Sequence, residues 1–93
     1  MCPSDKAFVF VDNHDNQRGH GISNDVITHK EPFLYKLAVS YMLAHPYGFT
    51  QIMSSYCFES SEEGPPHDEK YNTLDVTINS DGSCANGWVC EHR

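Results

Sequence analysis

Residues 9–18 read Val-Phe-Val-Asp-Asn-His-Asp-Asn-Gln-Arg (VFVDNHDNQR), and their order of chemical types places the rest of the chain. An apolar run, Ala7-Phe8-Val9-Phe10-Val11, passes without a spacer into Asp12-Asn13-His14-Asp15-Asn16-Gln17-Arg18. An unbroken apolar run of this length suits a strand buried on both faces, as parallel sheets require. Carboxylates, a histidine, amides and an arginine then fall where such a strand would end. In sheets of parallel strands alternating with helices, the carboxyl ends of the strands carry the chemistry. A purely structural strand more often finishes in Gly, Pro or Ser turn residues. On the residues alone, His14 and Asp15 also fit a surface turn, because Asn, Asp and His favour turns. The abrupt change from core to polar cluster reads as a site.

Composition narrows the partners. The chain has 93 residues, a formal charge of −7 and 39% hydrophobic content, within reach of one small domain. Only 6 Lys and Arg residues oppose 13 Asp and Glu, which argues against nucleic acid or an anionic membrane as a partner. No apolar stretch approaches the ~18 residues that would span a bilayer. Met1 is followed by Cys-Pro-Ser-Asp-Lys, which carries no signal-peptide pattern. Cys2, Cys57, Cys84 and Cys90 form no C-x-x-C pair, so disulfides and a secreted origin are expected rather than zinc. There is no N-x-[ST] acceptor for glycosylation.

Along the chain, the first strand is expected over residues 7–12. Gly19-His20-Gly21 then predicts a mobile loop, both glycines widening the allowed backbone space. Residues 23–30 are polar and aperiodic. A helix is predicted over Pro32–Ala44, where Leu34, Leu37, Ala38, Tyr41 and Met42 recur at the spacing of one helical face. Pro32 suits the first helical turn, and His45-Pro46 with Gly48 ends the helix. A second strand is expected over residues 49–54, making a βαβ unit with parallel strands and a right-handed crossover. Residues 56–72 read as an acidic loop. Leu74, Val76 and Ile78 alternate with polar residues as a short half-exposed strand, and Asn79-Ser80-Asp81-Gly82 is a turn. A single βαβ unit leaves strand edges unpaired, so the organisation reads as a piece of something larger.

These residues resemble a known family. Phe8-Val9-Phe10-Val11-Asp12-Asn13-His14-Asp15-Asn16-Gln17-Arg18-Gly19-His20-Gly21 is similar to the last conserved block of animal-type α-amylases. Leu34-Tyr35-Lys36-Leu37-Ala38, Met42-Leu43-Ala44-His45-Pro46-Tyr47-Gly48-Phe49-Thr50, Met53-Ser54-Ser55-Tyr56 and Trp88-Val89-Cys90-Glu91-His92-Arg93 resemble the segments that follow it there, in the same order. Residues 23–30 and 57–71 lie outside the match. The resemblance implies an α/β fold, a (β/α)₈ TIM barrel of which this chain supplies strand seven (residues 7–12), helix seven (Pro32–Ala44), strand eight (residues 49–54) and the following loop. A full barrel needs about 250 residues, so the chain would be its final quarter, one partial catalytic domain over residues 1–93.

The implied activity is retaining, endo-acting hydrolysis of internal α-1,4-glucosidic bonds in starch, glycogen or malto-oligosaccharides by a secreted, monomeric enzyme. Retaining glycosidases need a nucleophilic carboxylate and a protonated acid about an oxocarbenium-like transition state. In this family a third carboxylate, matching Asp15, holds sugar hydroxyls and favours ring distortion. His14 would bond the same sugar, and His20 would close over bound glucan. The nucleophile, the acid and the calcium ligands lie on parts of the family not present in these residues, so the isolated chain is expected to be inactive. Arg18 is expected to orient the polar cluster, and the remaining histidines to serve solvent or packing.

Asn13 matches a chloride ligand of the animal enzymes, but the family's basic ligand on strand eight is replaced by Gln51. A neutral amide cannot supply the charge that holds the anion, so chloride is expected not to be required. Cys84 and Cys90 match a short disulfide loop of the family, whereas Cys2 and Cys57 depart from its pattern. Lying before the first and beyond the second of two parallel strands, Cys2 and Cys57 would stand ~20 Å apart. A disulfide needs Cα atoms within about 7 Å, so that pairing is not expected. Two other readings stand beside the enzyme fragment. One is a non-catalytic carbohydrate-binding or allergen-like amylase-derived piece. The other is a small secreted inhibitor stapled by two disulfides, which the wide cysteine spacing disfavours.

Overall fold

The computed structural model describes residues 1–21 and 25–93. These divide into two compact units, Met1–Met53 and Ser54–Arg93. In the first unit, a 3-10 turn over Ser4–Lys6 leads into strand β1 (Phe8–Val9), a second 3-10 turn over Asn16–Arg18, helix α1 (Pro32–Ala44) and strand β2 (Phe49–Thr50). β1 and β2 pair in parallel, Phe8 opposite Phe49 and Val9 opposite Thr50. Phe49 N–H donates to the Ala7 carbonyl at 2.8 Å and Gln51 N–H to the Val9 carbonyl at 3.0 Å. The expected parallel pair is therefore present, but regular geometry covers only two residues of each strand rather than residues 7–12 and 49–54. A two-stranded ladder offers each strand bonds along one edge, too few to hold a longer regular span.

Burial on β1 is one-sided, not two-sided as the unbroken apolar run predicts. Val9 and Val11 pack against the helix core, whereas Phe8, 57% exposed, and Phe10 lie on the opposite face. The alternation follows from the pleat, which sends successive side chains to opposite faces.

Helix α1 has the predicted bounds. Pro32 occupies its first turn, and His45 ends it in an extended conformation with its N–H still bonded to the Tyr41 carbonyl at 2.9 Å. Pro46 holds its predecessor out of the helical region. The buried face is shifted from the expected one: Met42 is core as expected, but it is joined there by Tyr35 and Val39, while Leu34, Leu37 and Tyr41 are exposed. Tyr41, read from its spacing as core, instead stacks on the His45 ring at 5.6 Å. The sequence FLYKLAVSYMLA is apolar on nearly every side, so its periodicity fits more than one face. What selects Tyr35, Val39 and Met42 is the partner surface of Val9, Val11 and Ile27.

Between α1 and β2, Gly48 adopts φ 76°, and a Cβ there would run into the Val9 side chain and the Ala7 carbonyl. Glycine here satisfies both a left-handed backbone and a close strand approach. Its N–H donates to the Ser4 hydroxyl oxygen at 2.9 Å, and the Tyr47 hydroxyl donates to the Cys2 carbonyl at 2.6 Å.

The second unit is held without regular helices or strands among its described residues. Isolated antiparallel bridges join Tyr56 to Trp88, His67 to Thr73 and Ile78 to Cys84. Ser55 is fully buried and donates both its N–H, at 2.8 Å, and its hydroxyl, at 2.6 Å, to Glu91 Oε1. The Trp88 ring meets Tyr56 edge-on at 6.3 Å, and its indole N–H donates to the Leu74 carbonyl at 3.0 Å. Cys84 and Cys90 form a disulfide with Cα atoms 6.0 Å apart, while Cys2 and Cys57 are free, exposed thiols.

The strand expected at Leu74, Val76 and Ile78 does not form. Only Leu74 is partly covered; Val76 and Ile78 are exposed, so the alternation has no core to face. The turn after it does form, closed by Gly82 N–H on the Asn79 carbonyl at 3.0 Å. Local side-chain bonds order these loops. The Asn72 side chain and N–H beside Asp68 hold its carboxyl below the usual carboxylate range, as the Ser83 hydroxyl and N–H do for Asp81.

Candidate active site

The polar cluster after β1 folds into a knot of short-range bonds. Asn13 and Asn16 bond reciprocally, each side-chain oxygen accepting the other's backbone N–H at 2.8 Å. With its oxygen so taken, the Asn13 amide has its NH₂ left to offer a ligand. The Asp15 carbonyl accepts from Arg18 N–H at 3.2 Å and from His20 N–H at 3.0 Å. Gly19, at φ 90°, closes the 3-10 turn with its N–H on the Asn16 carbonyl at 3.3 Å. The loop anticipated as mobile is thus tied at Gly19 and His20. Arg18 donates from Nε to the His14 carbonyl at 2.8 Å, a bond within the polar cluster.

This knot is anchored from below. Asp12, 5% exposed, accepts from Gln17 Nε2 and from the Tyr35 hydroxyl, both at 2.9 Å. Tyr35 itself is 1% exposed in the middle of α1. A buried carboxylate needs such donors, because leaving it unmatched in a low-dielectric core is costly. Asp12 and Gln17 were quoted in the sequence only as members of the cluster, and Tyr35 only as part of a motif. The signal that could have found them is a tyrosine at a core position of α1, since a buried hydroxyl requires a partner.

The side chains singled out from the sequence separate into two neighbouring hollows. Asp15 and His20, both exposed, line an open hollow of about 440 Å³ with Asn16 and Val26. His14 faces a smaller one of about 230 Å³, shared with Gln51, Ile52 and Met53. Asn13 and Phe10 border both. The structure therefore brings Asn13 and Gln51 to one hollow, and Asp15 and His20 to another. It does not bring His14 into the lining of the Asp15 hollow. Asp15 presents an exposed acceptor beyond the carboxyl end of β1, suited to binding hydroxyls; among the described residues, no second carboxylate lines its hollow. Among the described residues, no cluster of three or more His, Cys, Asp or Glu side chains could hold a metal ion. No helix among them is long and apolar enough to cross a membrane.

No protein-family model matches the chain. Individual proteins do. The chain is 60% identical over 95 residues to an α-amylase of Pecten maximus, matching along its whole length and covering 18% of that protein. Over 103 residues it is 54% identical to the pancreatic α-amylase of Struthio camelus and 55% identical to alpha-amylase 1B of Homo sapiens, covering 21% and 20% of them. The chain thus spans about a fifth of the length of these relatives. Among solved structures, wild-type α-amylase I of Eisenia fetida superposes with a TM-score of 0.74 at 37% identity, over 92% of this chain and 18% of that one. The E249Q variant of that enzyme, solved as a maltohexaose complex, gives 0.72. The chain thus matches animal α-amylases along its whole length and corresponds to part of theirs.

Proposed function

We propose that residues 1–93 are the closing part of the catalytic barrel of a retaining, endo-acting α-amylase, with β1, α1 and β2 as strand seven, helix seven and strand eight. The observation that carries this is the parallel β1–β2 pair with the exposed Asp15 carboxylate just past its carboxyl end, beside His20 in an open hollow. In parallel barrels that end of the strands is where substrates are bound and transformed. Internal α-1,4-glucosidic bonds of starch, glycogen and malto-oligosaccharides are the substrate class. The maltohexaose bound to the Eisenia fetida variant supports it.

Cleavage with retention passes through an oxocarbenium-like state in which the sugar ring flattens. Asp15 acts here by accepting hydrogen bonds from sugar hydroxyls that strengthen as the ring distorts, so its contribution falls on the transition state. His20, held by its own N–H on the Asp15 carbonyl, adds a contact from the loop side. His14 donates to the same sugar from the adjoining hollow. The nucleophile, the proton donor and the calcium ligands belong to parts of the enzyme outside these 93 residues. Secretion into an extracellular space accords with the Cys84–Cys90 disulfide and with a pancreatic relative.

Among the described residues, the hollow shared by Asn13 and Gln51 is lined by no Lys or Arg, and the Asp12 carboxylate borders it. These residues do not fit a chloride ion, which needs a net positive setting. The enzyme is accordingly one that works without chloride.

Grafting residues 1–93 in place of the matching segment of the Pecten maximus enzyme tests the placement. The grafted enzyme should fold and hydrolyse starch, while the 93-residue chain alone should not. A graft that folds without hydrolysing starch, or fails to fold, contradicts the reading. Hydrolysis by the chain alone contradicts it equally.

A further inference from the structure

The turn that carries Asp15 rests on a helix through two hydrogen bonds and one buried carboxylate. Asp12 Oδ1 accepts from the Tyr35 hydroxyl and Oδ2 from Gln17 Nε2. Gln17 lies in the 3-10 turn whose first flanking residue is Asp15. Tyr35, in turn, is packed with Val39 and Met42 in the core formed with Val9, Val11 and Ile27. A continuous path therefore runs from the helix interior, through Asp12, to the backbone two residues from Asp15.

We propose that Tyr35 and Asp12 are positioning residues: the Tyr35 hydroxyl, acting through the buried Asp12 carboxylate and the Gln17 amide, sets where the Asp15 carboxylate stands. This rests on the reading of Asp15 as the carboxylate that meets the distorted sugar. The physical reason is the exposure of Asp15 itself. Its side chain projects into an open hollow, so its placement depends on the turn beneath it. The reciprocal Asn13–Asn16 bonds keep the turn internally rigid, but they tie it only to itself. Asp12 joins it to the helix by side-chain bonds to both elements. An interaction made mainly in the transition state is lost steeply when its geometry slips, and the loss is read in turnover rather than in affinity.

The test uses the complete grafted enzyme. Tyr35→Phe removes one oxygen and keeps the ring that fills the core, so the enzyme still folds. It should lower kcat by about tenfold and leave KM within about twofold. Asp12→Asn, which disturbs the same pair of bonds, should behave alike. The double variant should be no slower than the worse single one, because both changes break one path. Val39→Ala serves as the comparison: it cuts into the same core without touching Asp12, and should lower Tm while kcat stays unchanged. If Tyr35→Phe keeps full kcat, or if Val39→Ala loses kcat to the same extent, the positioning role is refuted. Asp15→Asn separates the two levels. Undiminished turnover in that variant removes the underlying reading; lost turnover there with unaltered kcat in Tyr35→Phe removes only the positioning proposal.

Discussion

Asp12 and Asp15 are the same chemical group three positions apart, and their surroundings give them different work. Asp12 is enclosed and matched by the Tyr35 hydroxyl and the Gln17 amide; Asp15 is exposed beside His20. The first is spent on holding structure, and the second is left with acceptor capacity for a ligand. Gln51 makes a similar point by what it lacks. Among the described residues its hollow offers amides, an imidazole and a carboxylate, with no permanent cation. Activity of the grafted enzyme in salt-free buffer should therefore change less than about twofold on adding chloride, while Gln51→Arg should create a chloride response by restoring a fixed positive charge. Strong activation by chloride with Gln51 in place would refute this. The motif and its spacing single out Asp15, His20, Asn13 and Gln51, and the structure sets Asp15 with His20 in one hollow and Asn13 with Gln51 in another. The Asp12–Tyr35 bond was not legible in the sequence, since it joins residues 23 positions apart through a fold that composition alone does not specify.

The elements show which sequence signals survive folding. The bounds of α1 were legible because Pro32 and His45-Pro46 act on the backbone itself, whatever packs around it. Its buried face was not, because an almost wholly apolar helix leaves the choice to its partner surface. The half-exposed strand at Leu74, Val76 and Ile78 failed for the converse reason: alternation without an adjoining layer has nothing to bury against. Gly48 belongs with the legible features, as a helix-ending residue whose second duty, admitting β1 at close range, only the structure reveals. Gly48→Ala should destabilise the grafted enzyme by about 2 kcal/mol from the left-handed backbone alone, with steric overlap against Val9 added. Gly64→Ala, at a glycine with open space around it, should leave Tm unaltered. Equal Tm values for the two variants would show that the close approach of β1 at Gly48 is not real.

For the molecule as a whole, the two compact units are built by different means. Residues 1–53 use a parallel strand pair under a helix, and residues 54–93 use bridges, a disulfide and buried polar contacts such as Ser55–Glu91. The first unit leaves Phe8, Phe10, Phe49 and Ile52 exposed. In the proposed barrel placement, this apolar surface is the seam where further strands would join. The proposed function concentrates that whole assembly on one carboxylate. The decisive measurement is the starch-hydrolysing kcat of the grafted enzyme carrying Asp15→Asn, a change that keeps the size of the side chain and removes its charge. Loss of transition-state hydrogen bonding at Asp15 predicts a fall in kcat of about a thousandfold with the fold and Tm retained. A folded Asp15→Asn enzyme turning over starch at the parent rate would contradict it.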